Sequence, residues 1–163
     1  MNSHIHVLVV GSGGREHAIA QALSKNPNTR IFAVMNRMNP GIAELAEGVL
    51  IAPETEPDAI KKFSIHHAIE YACIGPEAPL EAGVVDILTD AGIFCLGPSK
   101  KAARIETDKA YCRNLMRQYN IPGLPQFHIF HSGHEAEVFL INSTKEYAIK
   151  PAGLTGGKGV KIM

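Results

Sequence analysis

Short apolar runs alternate with amphipathic stretches along the first hundred residues. Ile5-His6-Val7-Leu8-Val9-Val10 is rich in β-branched residues and ends at Gly11, which predicts a buried strand. Arg15 to Ser24 carries Ala18, Ile19, Ala22 and Leu23 at helical spacing, and Asn26-Pro27-Asn28 stops it. Strands are predicted over 30–35, 48–52, 70–74 and 93–96. Helices are predicted over 42–45, 57–67 and 80–91, with Pro57 suited to a first turn. Strand alternating with helix is the pattern of a parallel sheet covered on both faces. The pattern changes after Gly97-Pro98-Ser99. Residues 100–119 read as one long helix, 127–130 as a strand, 135–140 as a helix, and 147–150 and 160–163 as two strands around a glycine-rich loop. The last stretch, 121–163, reads as the opening of a second domain, because a glycine loop between two strands leaves an apolar face uncovered.

Composition narrows the function. The chain has 163 residues, 45% hydrophobic and 20% charged, which is ordinary globular composition. Sixteen basic residues balance sixteen acidic ones. That balance argues against a general nucleic-acid binder, whose affinity rests on neutralising phosphates. No apolar run approaches the roughly 18 residues that span a bilayer. The opening residues Met1 to His4 lack the basic start of a secretory leader, so a cytoplasmic protein is expected. Cys73, Cys95 and Cys112 form no C-x-x-C, and reduced thiols are expected. His128, His131 and His134 recur at a spacing that suits no common helical metal motif, and no residue is assigned to metal.

Two glycine-rich segments carry the chemistry. Gly11-Ser12-Gly13-Gly14-Arg15-Glu16-His17 lies between the first strand and the first helix. Glycines permit close backbone approach, and a helix start favours an anion such as phosphate. Arg15 adds a fork that grips phosphate in two bonds. The dinucleotide fingerprint G-x-G-x-x-G requires glycine at position 16, where this chain has glutamate, so the spacing is wrong for NAD. Gly75-Pro76-Glu77 follows another strand and is expected on the same rim. Glu77 there suits a ribose hydroxyl or an amine, or simply the start of a helix. The second segment is Lys150 followed by Gly153-Leu154-Thr155-Gly156-Gly157-Lys158-Gly159. It is not a P-loop, because position 152 is alanine and Gly159 replaces the hydroxyl residue. It joins strand to strand, so lysines rather than a helix dipole must supply the positive charge.

In this order, Gly11 to Ala18, Gly75 to Leu80, Ala103-x-x-Glu106-x-x-Lys109-x-x-x-Arg113-x-x-Met116 and Lys150-x-x-Gly153-x-x-x-Gly157-Lys158-Gly159-Val160 resemble the N-terminal part of the phosphoribosylamine–glycine ligase family, which belongs to the ATP-grasp enzymes. The resemblance implies an α/β fold. A Rossmann-like, parallel-sheet preATP-grasp domain would occupy 1–100, a linker helix 101–120, and the incomplete start of an ATP-grasp domain 121–163. It implies ATP-dependent ligation of glycine to 5-phosphoribosylamine in purine synthesis, with Mg2+ or Mn2+. Lys109, Lys150, Gly153, Gly156, Gly157, Lys158 and Gly159 become ATP contacts. Gly11, Gly13, Gly14, Arg15, Glu16, His17, Pro76 and Glu77 become contacts for phosphoribosylamine. The implied metal ligands lie beyond residue 163, and a fragment ending there is expected to be inactive. Three positions depart from the family pattern. Pro151-Ala152 precedes the second loop where aspartate is frequent, Asp108 replaces a common serine, and Arg113 a common lysine. The alternatives are another ATP-grasp ligase of biotin carboxylase type, and a non-catalytic nucleotide-binding module.

Overall fold

The computed structural model describes residues 4–163. Residues 1–3, which bear on the expected lack of a leader, lie outside the described residues. The first apolar run forms β1 (Ile5–Val10), followed by α1 (Gly14–Leu23), β2 (Thr29–Met35), α2 (Pro40–Leu45), β3 (Gly48–Ile51) and α3 (Pro57–His66). Then come β4 (Tyr71–Ile74), α4 (Glu77–Ala82), α5 (Val84–Asp90) and β5 (Phe94–Leu96). The five strands make one parallel sheet in the order β3-β2-β1-β4-β5. Alternate residues of each strand face opposite sides, so an unbroken apolar run is what a sheet buried on both faces demands. Leu8 and Val10 join Phe32, Val34, Ala72 and Ile74 on one face, against Ile60, Leu80, Val84 and Leu88 of α3, α4 and α5. Val9 and Ile31 face the other side with Ala20 of α1, and Ala33 and Met35 meet Ile42 of α2.

The chain winds outward from β1 to β3 and then returns to place β4 on the other side of β1. That reversal opens a crevice above the carboxyl ends of β1 and β4. Their register is flush: Val10 pairs with Ile74, and Gly75 N–H donates to Val10 O at 3.2 Å.

The predicted helix over 80–91 is in fact two. Gly83 adopts φ 90°, a left-handed conformation that ends α4 and starts α5. The long helix expected over 100–119 is likewise divided, into α6 (Lys100–Thr107) and α7 (Lys109–Gln118). Asp108 breaks it. Its backbone is extended and its Oδ1 accepts from Tyr111 N–H at 2.9 Å, the geometry of an N-cap.

Two compact units are distinguished, Met1–Ala103 and Arg104–Met163. The second holds α7, α8 (Gly133–Ile141) and a two-stranded antiparallel sheet of β6 (Ala148–Ile149) and β7 (Lys161–Ile162). The strand expected over 127–130 is not one. His128 and Phe130 pack on Phe139 of α8, with ring centroids 4.4 and 5.2 Å away, but the backbone joins no sheet among the described residues. Aromatic packing on a helix, without a ladder partner, accounts for the ring-bearing positions of this stretch without a strand, and His128, Ile129 and Phe130 stay exposed. No helix among the described residues is long and apolar enough to cross a membrane. All three cysteines are free and half-buried, and burial raises the Cys73 and Cys95 thiols, with Cys95 adding to the rise at Cys73.

At the foot of the sheet the His67 ring packs between Phe32 and Phe63, at 4.7 and 4.5 Å, and its carbonyl meets His6 Nδ1 at 2.7 Å. Desolvation, then His66 and His6, lower its pKa. A histidine harder to protonate when folded contributes stability that is full above its unfolded value, about 6.5, and is lost as pH falls from there through the lowered folded value. Thermal denaturation between pH 7.5 and 5 is expected to show Tm falling with pH, and His67→Gln to flatten that slope.

Candidate functional site

Gly11 and Gly75 each follow the last residue of a central strand, so the two loops leave the sheet side by side. Gly11 extends the β1–β2 ladder through its N–H to Val34 O at 2.9 Å, with φ 131°. Gly13 is the N-cap of α1, and no side chain caps that helix. The first-turn N–H groups that every helix leaves without an internal partner are therefore uncapped. Glu16 reaches back so that its Oε2 accepts from Gly13 N–H at 2.8 Å, half of a capping box. The residue is only 3% exposed.

Arg15 spans the crevice. It donates from one terminal nitrogen to Gly75 O at 2.8 Å and from the other to Glu77 Oε1 at 3.4 Å. Its side chain is 61% exposed, so this pair with Glu77 is weak and open to exchange with a ligand. Pro76 caps α4, and its Cδ crowds the space beside Gly11. His17 points the other way. Its ring lies against Gly41 of α2, where a Cβ would meet it, so it braces α1 on α2.

On the far side of the same loop lies a group that the sequence reading did not single out. The Ser12 hydroxyl contacts Glu54 Oε1 and Asn36 Oδ1, and Asn36 N–H donates to both Ser12 Oγ and Glu54 Oε1, at 3.0 and 3.1 Å. Asn39 donates from its side chain to Ser12 O at 3.0 Å while its Oδ1 accepts from Gly41 and Ile42 N–H at the start of α2. Asn39-Pro40 is a helix-start signal that the 42–45 expectation passed over. Nothing in the spacing marks Glu54, which is buried by the tertiary fold.

In the second unit the glycine loop joins β6 to β7. Gly156, Gly157 and Gly159 adopt φ of 57°, 76° and 80°, and Lys158 N–H donates to Thr155 O at 3.1 Å, so the loop is a run of turns only glycine tolerates readily. Lys150 and Lys158 are exposed, and neither makes an ion pair among the described residues. Lys109 is brought to the loop: its Nζ donates to Gly153 O at 2.7 Å and its N–H to Ala152 O at 2.9 Å. The break at Asp108 makes this possible, since a helix running on through 109 would commit that N–H to its own ladder.

The model of the phosphoribosylglycinamide synthetase N domain matches residues 5–106, and that of the same enzyme's ATP-grasp (A) domain matches 107–163. The chain belongs to the phosphoribosylglycinamide synthetase family. A phosphoribosylamine–glycine ligase from Methanoregula boonei is 57% identical over 157 residues, 96% of this chain and 37% of that protein. Another, from Methanocaldococcus jannaschii, is 47% identical over 161 residues, 96% of this chain and 36% of that protein. The chain thus spans little more than a third of the relatives it matches. Phosphoribosylglycinamide synthetase from Anaerococcus prevotii superposes with a TM-score of 0.65 at 16% identity, over 98% of this chain and 38% of that one. N5-carboxyaminoimidazole ribonucleotide synthetase from Thermotoga maritima gives 0.69 at 15%, over 98% of this chain and 40% of that one. These likenesses show the fold, an α/β architecture with the ATP-grasp arrangement of the family.

Asp108 is the hinge on which Lys109 depends. The Tyr111 N–H, foremost, and Arg104 hold its carboxyl below the usual carboxylate range. The cap is therefore intact at neutral pH and is lost as pH falls through that lowered value. Asp108→Ala is expected to cost about 1 kcal/mol and to speed hydrogen exchange at the Tyr111 amide. Asp108→Asn is expected to retain most of the protection.

Proposed function

We propose that the chain supplies the phosphoribosylamine-binding loop and the first ATP-phosphate lysines of a phosphoribosylamine–glycine ligase. In that reaction glycine's carboxylate oxygen attacks the γ-phosphorus of ATP and releases ADP. The amine of 5-phosphoribosylamine then attacks the carbonyl of the resulting glycyl phosphate, loses a proton and expels phosphate. The products are glycinamide ribonucleotide, ADP and phosphate.

The observation that carries this reading is the flush pair of loops after β1 and β4, at the point where strand order reverses. Open α/β sheets take ligands there. The charges present suit a ligand of mixed sign. Arg15 and the uncapped start of α1 favour a phosphate, whereas Glu77 favours an amine or a sugar hydroxyl. Glu16 fills the space that a dinucleotide pyrophosphate would approach, which speaks against the NAD-binding alternative. His17, braced on α2, serves by orienting the helix start.

ATP fits the second loop. Lys150 and Lys158 are exposed cations near the left-handed glycines Gly156, Gly157 and Gly159, and Lys109 holds the loop's first glycine carbonyl. When bound, ATP supplies the phosphoryl group that activates the carboxylate, a step governed by positioning and charge neutralisation. Gly153, Gly156, Gly157 and Gly159 let the loop close over it. Among the described residues no group of three acidic, histidine or cysteine side chains gathers to hold a metal ion. A cytoplasmic setting accords with the free thiols.

In an active ligase containing this sequence, Lys150→Ala is expected to raise KM for ATP about tenfold or more and to leave KM for phosphoribosylamine nearly unchanged, since one charged phosphate contact is worth about 1.5–3 kcal/mol. Arg15→Ala is expected to do the reverse. Steady-state kinetics in both substrates decide it, and equal effects of both variants on both constants would show that the two loops are misassigned.

A further inference from the structure

Gly75 shows what the buried carboxyl of Glu16 is for. Its φ lies outside the left-handed region, so alanine there meets no conformational penalty of its own. Yet the three heavy atoms nearest a Cβ at 75 all belong to Glu16: Oε1 overlaps outright, Cδ lies at 2.7 Å and Cγ at 2.8 Å. At Gly13 the nearest atom is Glu16 Oε2, at 2.7 Å. A Cβ at Gly14 meets nothing within 4 Å. The absent side chains at 13 and 75 thus form a seat, and its occupant is a carboxylate of the same chain. Oε2 has the Gly13 N–H, whereas Oε1 is shielded from water and has no hydrogen-bond partner among the described residues. An unpaired buried oxygen is costly and calls for a donor. Arg15 Nε stands 3.6 Å away, just short of one, while the ends of its guanidinium engage Gly75 O and Glu77.

We infer that Glu16 is a positioning residue for Arg15: its seated carboxylate pins the loop after β1 to the loop after β4 and offers Oε1 to Arg15 Nε when Arg15 leaves Glu77 for the phosphate of the substrate. This deepens the function proposed above and rests on it. Closing the 3.6 Å gap satisfies the oxygen that the ligand-free arrangement leaves bare. It also holds one edge of the guanidinium, so that its terminal N–H groups meet phosphate already oriented.

Calorimetric titration of the intact protein with ribose 5-phosphate tests this. Glu16→Gln keeps the size of the side chain and an acceptor for Gly13 N–H but removes the charge. Coulomb's law alone predicts that losing a negative charge beside a phosphate tightens binding. The positioning role predicts the opposite, a Kd raised about tenfold, and an unchanged or lower Kd overturns it. Failure of the unsubstituted protein to bind ribose 5-phosphate would instead overturn the substrate assignment. The seat itself is tested without any ligand. Gly75→Ala is expected to lower Tm by about 5–10 °C, but by no more than about 2 °C when Glu16→Ala is already present. Equal falls in the two backgrounds would mean that Glu16 is not what position 75 makes room for.

Discussion

The pairing of β1 with β4 is the constraint from which the rest of the first unit follows. Val10 opposite Ile74 brings two parallel strands to the same height, and Gly11 and Gly75 leave the sheet together. Side chains on one loop are then close enough to occupy space belonging to the other. Glu16 does so through the seat at Gly13 and Gly75, and Arg15 does so through the Gly75 carbonyl. A slip of one residue would carry Val9 and Val10 to the wrong faces of the sheet as well as misplace both loops. The apolar core and the site are therefore held by one register, and the core supplies the energy that enforces it.

Much of this was legible in the sequence. Continuous β-branched runs ended by glycine marked the strands, and helical spacing marked the covering helices. Asp108 was noted only as an unusual residue within one helix, although an aspartate three residues ahead of Tyr111 is also a cap. Its becoming a cap goes together with Lys109 N–H donating to Ala152 O, a contact across 43 positions that no local pattern reports. Residues 127–130 mislead for the opposite reason. Their apolar pattern reflects packing on Phe139 and not a ladder.

The glycines of the first loop are the instructive case. Read along the chain, Gly11, Gly13 and Gly14 indicate a backbone that something approaches closely. In the fold, what lies against Gly11 and Gly13 is Glu16, only a few residues ahead. Sequence shows that room is made, not for what. The same glutamate that breaks the dinucleotide fingerprint explains two of the glycines that suggested it. Ser12, Asn36, Asn39 and Glu54 complete the loop from the other side. Their roles come from three different strand ends meeting, so they were beyond the reach of spacing.

On the proposed function the two glycine loops would solve one electrostatic problem by different means, and the difference follows from what each is attached to. The first opens a helix, so its anion-binding capacity would come from uncapped N–H groups, with a single arginine to fix orientation. That capacity is modest, because Glu16 and Glu77 stand beside it, and a purely anionic ligand would gain little. A ligand with a phosphate at one end and an amine at the other turns those carboxylates from a penalty into part of the recognition. The second loop joins two short strands and has no helix behind it. Left-handed glycines expose its backbone, and the positive charge must come from lysines on flexible stems. Such a loop holds a polyphosphate by charge and closure with little fixed geometry. On the proposed function, rigid recognition on the sheet unit and adaptable grip on the other would suit a ligation, where one reactant must be oriented and the other enclosed while its phosphate is transferred.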